Sequence, residues 1–342
     1  MAGARFLRAS VVYLTVFCMN IKLIGSLAAV LLISSCGKHE EGKQVRIGIA
    51  WRGDSTSVSY TSTLKSVREA GAIPVPLPLV KSPVLEYSGD ELLGQYKDSH
   101  GILRQEYADQ IKAQPLQGQN LKQLLEGLDA LIFTGGSDIS PTLYRVPEPW
   151  HGIESEGMYD GRRDVSDYIL MSWCLEREEK LPVLCLCRGM QMLSVVSGAT
   201  MIQDLKTFFE DRGVVYQDTH RVEATAEHGK NFAPHSVQVT DASSLLRKIT
   251  GASVIDKVPS WHHQAVRSVE GTALKVTAVT PTSGVEIIEA VERTDKPFFI
   301  GVQYHPEVAV AKHANKEADA SSFMSYDEAL CYFRALVPLK SK

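Results

Sequence analysis

The stretch Leu181–Leu205, LPVLCLCRGMQMLSVVSGATMIQDL, constrains the fold more than any other part of the chain. Its apolar run from Pro182 to Leu186 reads as a strand buried on both faces. The run meets Cys187 and Gly189, then an amphipathic helical pattern that continues through Val196 and stops at Gly198. A strand buried on both faces that turns at once into a helix calls for helices packed on both sides of a sheet. At so sharp a turn the Cys187 side chain is held outward, and the start of the helix offers positive potential and N–H groups that lack intrahelical acceptors. Both effects favour a thiolate. Gly189 permits the tight turn and a close approach by substrate. Cys185, inside the apolar run, reads as a small buried hydrophobe. The rival reading is a CxC metal site in which Cys185 and Cys187 join His262 and His263, but that spacing is not the pattern of a zinc motif.

The same alternation recurs along the chain. Val45–Trp51, Ile73–Pro78, Ala130–Phe133, Ser236–Val239, Leu274–Val279, Val285–Val291 and Phe298–Tyr304 read as strands. Helical patterns cover Ser59–Ala70, closed by Gly71, and Tyr326–Leu336, where Ser325 and Glu328 have capping-box spacing. This order predicts an α/β fold with a largely parallel sheet and antiparallel additions toward the C-terminal half. Residues 80–120, polar and rich in Gln, separate two strand and helix units and read as an insertion, a surface decoration rather than a lid. The folded domain is expected over 45–342.

Two further segments carry candidate chemistry. In ALIFTGGSDISPTLY, from Ala130 to Tyr144, a strand ends in Gly135-Gly136, whose N–H groups suit an oxyanion hole shared with the N–H of Arg188. In FFIGVQYHPE, a strand delivers His305, and Glu307 follows two residues later, on the same side of an extended chain. A base oriented by a carboxylate supplies what a nucleophilic cysteine needs. Taken alone, the paired glycines read as a turn, and His305 with Glu307 as a surface pair.

Together, TGGSDISPTLY, LPVLCLCRGMQMLSVVSGATMIQDL, SWHHQAV and FFIGVQYHPE, in that order from Thr134 to Glu307, resemble the class I glutamine amidotransferase superfamily and, within it, the γ-glutamyl hydrolase and γ-glutamyl-γ-aminobutyrate hydrolase family. Weaker likeness at VRIGIAW and SVREAGAIPVPLP extends the match over most of 45–310. The resemblance implies a flavodoxin-like three-layer sandwich: a mostly parallel central sheet flanked by helices, plus a small antiparallel addition. It implies Cys187 as nucleophile, His305 as base and then acid, Glu307 as the group orienting His305, and Gly136 and Arg188 as oxyanion donors. Gly135, Gln191, His262, His263 and Gln264 would meet the substrate, with Trp261 either lining the pocket or packing, and which of the two histidines faces the ligand left open. His220 and His235 read as structural or surface residues. The implied reaction hydrolyses a small γ-glutamyl amide or peptide through a thioester, with no cofactor and no metal.

The sequence departs from the family's usual pattern at Cys185, which stands where glycine is usual two residues before the nucleophile, and at Pro281-Thr282-Ser283-Gly284, where an Asp-Gly turn is more familiar. A side chain at position 185 could press on the oxyanion loop or pair with Cys187. The rival functions are therefore a non-catalytic binding lipoprotein of the same fold, or a glutaminase feeding ammonia to a separate partner. The absence of a Walker-type loop and of GxGxxG favours the independent hydrolase.

The N-terminus is read as an address. Arg5, Arg8 and Lys22, with no acid among them, precede the apolar run Leu23–Ile33, and Ile33-Ser34-Ser35-Cys36 resembles a bacterial lipobox. This predicts a signal peptide over 1–35, with Met1 or Met19 as its start, lipid attachment at Cys36, a tether over 36–44, and a cell-envelope location through a membrane anchor. The rivals are a plain signal peptide or an uncleaved anchor. A formal net charge of −4 argues against nucleic-acid partners, six cysteines are too few for a disulfide scaffold, and no motif bears on the oligomeric state.

Overall fold

Short, wholly apolar runs form the centre of the sheet, as their composition demands. The computed structural model describes residues 44–151, 159–176, 181–217, 219–222 and 231–337. The expected signal peptide, Cys36 and the tether up to residue 43 lie outside the described residues. In chain order the first half contains β1 (Arg46–Ile49), α1 (Val58–Glu69), β2 (Ile73–Pro76), β3 (Tyr87–Ser88), β4 (Glu91–Leu92), α2 (Gln105–Ala113), α3 (Lys122–Leu125), β5 (Ala130–Phe133) and α4 (Gly161–Glu176). There follow β6 (Val183–Leu186), α5 (Arg188–Ser197), β7 (Thr200–Ile202), α6 (Leu205–Glu210), β8 (Ala233–Val239), α7 (Leu245–Thr250) and β9 (Val254–Ser260). The last part holds β10 (Ala265–Ser268), β11 (Leu274–Thr282), β12 (Val285–Arg293), β13 (Phe299–Val302), α8 (Pro306–Asn315) and α9 (Tyr326–Arg334).

The central sheet runs β2-β1-β5-β6-β13-β12-β11-β8-β9. From β2 to β13 every neighbouring pair is parallel. From β13 outward the pairs are antiparallel, and β10 joins β12 to β7. Every residue of β5, β6 and β13 is buried. Because side chains alternate across a strand, Leu131, Phe133, Val183 and Cys185 enter one core with residues of α4 and α5, while Ala130, Ile132, Leu184 and Leu186 enter another with residues of α1, α8 and α9. This is the mostly parallel sheet with helices on both faces that the sequence predicts.

Two local outcomes refine the expectations. The capping box of α9 forms: Ser325 Oγ accepts from Glu328 N and Glu328 Oε2 accepts from Ser325 N. Between residues 80 and 120, Tyr96, Leu103, Ala108 and Ile111 pack with Ile139 and Leu143, which follow β5. Lys112 also donates to Thr142 O at 2.8 Å, so this segment is seated on the body of the fold.

Candidate active site

The carboxyl ends of parallel strands are where an open α/β sheet leaves a crevice, and the chain leads its candidate residues there. Cys187 stands between β6 and α5 with φ 47° and ψ −105°, in a region a side chain occupies only when its surroundings impose it. The turn is held from both sides, since Cys187 N donates to Val302 O at 2.8 Å and Gln191 N donates to Cys187 O at 3.1 Å. Gly189 serves packing here: a Cβ on it would stand 2.5 Å from Phe133 O, so the missing side chain is what lets α5 lie against β5. Cys185 is fully buried in the core with Cys174, and both Cys185 and Cys187 are free thiols. Burial, and then the neighbouring Cys174, push the Cys185 thiol well above its ordinary value.

His305 and Glu307 meet, though by a different local structure from the extended segment read in the sequence. The strand ends at Val302, His305 is the N-cap of α8, Pro306 occupies the first turn, and Glu307 lies within the helix. Proline suits that position because its fixed φ is helical and its missing N–H would have no partner there. The first turn then folds Glu307 back, and His305 Nδ1 lies 2.6 Å from Glu307 Oε1. The same oxygen accepts from Ser59 Oγ of α1 at 2.8 Å. With Nδ1 engaged by Glu307, Nε2 is the ring nitrogen left for the neighbouring Cys187 thiol. Burial opposes a charge on this ring, but Glu307 and Cys187 outweigh it and hold the His305 pKa up at about 10.

The thiol has a second neighbour. Gln303 Nε2 donates to Cys187 Sγ at 3.4 Å, and Gln191 Nε2 donates to Gln303 Oε1 at 3.3 Å and to Gln264 O at 3.1 Å. Gln191 therefore spends its amide within the site.

The paired glycines are fixed by cations. Arg163 Nη2 donates to Thr134 O at 2.7 Å, Arg163 Nη1 donates to Gly135 O at 2.9 Å, and Arg52 Nη1 donates to the same Gly135 carbonyl. In a trans peptide the N–H opposes the C=O, so anchoring Gly135 O turns the N–H of Gly136 the other way. A Cβ on Gly135 would lie 2.6 Å from His305 Cε1, so glycine there makes room for the imidazole. The Arg188 guanidinium is buried and paired with Asp164, at 2.6 Å, and with Asp167, both on α4. Its backbone N–H opens α5.

Of these groups, Arg52, Ser59, Gly136, Arg163, Cys187 and His305 border a cavity of about 800 Å³ that also meets Asp138, Gln191, Trp261, His262, His263 and Gln264. His262 turns Nδ1 to Gln264 O at 2.9 Å. His263 bridges two carboxylates, Nδ1 to Asp204 at 3.0 Å and Nε2 to Asp138 at 3.1 Å. Burial disfavours its charge, but those two hydrogen bonds prevail and raise it to about 10. The Gln264 side-chain amide is buried at the cavity without a hydrogen-bond partner among the described residues. Sequence reasoning missed Ser59, Gln303, Arg52 and Arg163. Gln303 alone had a local signal, lying two residues before His305.

The Peptidase C26 family model matches residues 110–307. Protein NtpR of Enterococcus hirae is 32% identical over 199 residues, covering 58% of this chain and 74% of that one. Gamma-glutamyl-gamma-aminobutyrate hydrolase PuuD of Escherichia coli is 31% identical over 196 residues, covering 57% of this chain and 70% of that one.

Proposed function

The chain belongs to the Peptidase C26 family, and from that premise we propose that it is a cysteine-dependent hydrolase cleaving γ-glutamyl amide bonds with release of glutamate. The observation that carries the reading is the meeting of Cys187 and His305 at the edge of one cavity, with Glu307 buried behind the imidazole and bonded to its Nδ1.

The thiolate of Cys187 adds to the γ-carbonyl carbon, and the charge moves to oxygen, which accepts from the N–H groups of Gly136 and Arg188. The tetrahedral species collapses as His305 Nε2 gives its proton to the departing nitrogen, so the C–N bond breaks, the amine leaves and a γ-glutamyl thioester remains. Water then adds to the thioester carbonyl while His305 takes its proton. Collapse breaks the C–S bond, frees glutamate and restores the thiolate beside the imidazolium. Glu307, itself fixed by Ser59, holds the ring in the tautomer and orientation both steps need.

The γ-glutamyl unit brings an ammonium and a carboxylate into the cavity. Asp138 suits the first and Arg52 the second, while the Gln264 amide supplies hydrogen bonds; Gln191, His262 and His263 shape the surrounding wall, and Gly135 leaves room for His305. We place the enzyme in the cell envelope, carried by a lipid on Cys36, on the strength of the run Leu23–Ile33 and the Ile33-Ser34-Ser35-Cys36 sequence.

The test is glutamate release from a panel of γ-glutamyl amides and peptides under reducing conditions, with γ-glutamyl-γ-aminobutyrate and free glutamine included. Glutamate appearing in step with free amine, and lost in Cys187→Ala, is the expected result. No release together with a Cys187 inert to iodoacetamide would make the chain a binding protein, and turnover of glutamine alone would make it a glutaminase.

A further inference from the structure

We infer that His220, His235, His262 and Glu289 form a closed site for one zinc ion, beside the cavity and apart from the catalytic thiol. Each residue offers one donor atom, and all these atoms lie within 4.8 Å of one another. Around Glu289 Oε1, His220 Nδ1 stands at 3.2 Å, and Nε2 of His235 and Nε2 of His262 stand at 3.8 Å each. In a tetrahedral site with bonds near 2.0–2.1 Å, neighbouring donors are about 3.3 Å apart. The edges to the carboxylate therefore match or need about 0.5 Å of closure, with the widest donor pair closing further.

The second ring nitrogens decide which atoms face inward. His262 Nδ1 lies 2.9 Å from Gln264 O, an acceptor only, so it carries the proton and Nε2 keeps its lone pair. His220 Nε2 lies 2.9 Å from Thr282 Oγ1, a hydroxyl able to accept the ring proton. His235 Nδ1 lies 3.3 Å from Ser236 O and from Thr280 Oγ1, which itself donates to Ser236 O. Each outer contact gives the outer nitrogen an acceptor for its proton, the arrangement by which imidazole ligands are oriented at metal centres. Three inward lone pairs beside a carboxylate repel one another, and a divalent cation reverses that balance. Glu289 is fully buried and meets no donor other than these rings among the described residues.

The donor set selects the ion. Three imidazoles and one carboxylate suit a borderline first-row cation, and four protein donors in tetrahedral disposition are a zinc geometry with no position left for water, which marks a structural site. The ligands come from the segment after α6, from β8, from the turn after β9 and from β12. One ion would thus pin the turn that carries Trp261, whose carbonyl oxygen lies 3.9 Å from Cys187 Sγ, and His262, which borders the cavity.

Elemental analysis of the full chain, purified without added metal and dialysed against a weak chelator, tests this independently of any turnover. One zinc per chain is expected. After stripping, cobalt(II) should titrate to one equivalent with the intense visible bands of a tetrahedral nitrogen and oxygen site and no thiolate charge-transfer band. Cys187→Ala should keep the metal, while His235→Ala and Glu289→Gln should weaken zinc binding more than roughly 100-fold. If these variants fail to fold, the stoichiometry and cobalt spectrum of the unaltered chain decide. Absence of retained or titratable metal, an octahedral or thiolate spectrum, or loss of the metal in Cys187→Ala would overturn the assignment.

Discussion

At His305 two opposed effects meet and the balance sets the chemistry. Burial alone would leave the imidazole neutral at ordinary pH, yet Glu307 and Cys187 raise its pKa to about 10, so in the proposed reaction the ring holds the proton that the leaving amine receives. Activity should then fail on the alkaline side as this proton is lost. Glu307→Gln keeps the size of the side chain and removes its charge, so the His305 pKa drops and the alkaline limb of kcat/KM moves to lower pH. A fall in kcat of roughly 10²- to 10⁴-fold should accompany it, the cost of losing both an orienting group and a charge. Comparing the pH profiles of both proteins checks this, and an alkaline limb that stays in place would remove Glu307 from the role given to it. Cys187, His305 and Glu307 could be picked out from sequence because each sits in a short motif after an apolar strand. Ser59 could not, since it reaches Glu307 from a helix 248 positions away in sequence and a lone serine carries no local signal. Arg52 and Arg163 were hidden for the same reason, because their task is to hold carbonyl groups on another segment.

Among the elements, α5 bears most directly on the proposed reaction, since its first turn sets both the angle of Cys187 and the N–H of Arg188. Its seat against β5 depends on Gly189. A Cβ there would approach Phe133 O to 2.5 Å and Phe133 Cβ to 2.8 Å, and a strand backbone bonded on both sides does not give way as a flexible side chain would. Gly189→Ala should therefore push α5 outward and cost about 1–3 kcal/mol, read as a lower urea midpoint with little change in slope, together with slower alkylation of Cys187. An unchanged midpoint would mean that α5 shifts freely and that the turn is not held by this contact. The buried strands and α5 were legible because continuous apolar runs and a glycine stop admit few alternatives. The start of α8 was not. After Gln303 and Tyr304, the His305-Pro306 pair reads equally as a continuing strand and as a helix entry, and the entry wins because Pro306 suits the first helical turn. The outcome for Glu307 was the same by either route, since both bring it beside His305.

For the molecule as a whole, the proposed envelope location requires a means of holding a folded domain at a membrane. Among the described residues no helix is long and apolar enough to cross one, and the proposed attachment is through the N-terminal segment. There the run Leu23–Ile33 falls short of the ~20 apolar residues a spanning helix needs, and Asn20 and Lys22 separate it from the apolar stretch 11–18. A short apolar run closed by Ser34-Ser35-Cys36 suits cleavage followed by lipid attachment better than it suits a span. Acyl chains contribute about 0.8 kcal/mol per buried CH₂, and more than one chain is needed for a stable hold, so loss of the single attachment point should be decisive. Expressed at full length in a bacterial host, the protein should fractionate with membranes and incorporate labelled fatty acid. Cys36→Ala should incorporate none and shift to the soluble fraction or stall as unprocessed precursor, while the soluble form keeps the specific activity of the parent, because Cys36 lies far in sequence from the segments that build the cavity. Membrane retention of a processed Cys36→Ala protein would point to another anchor, and a soluble parent would leave only a plain signal peptide.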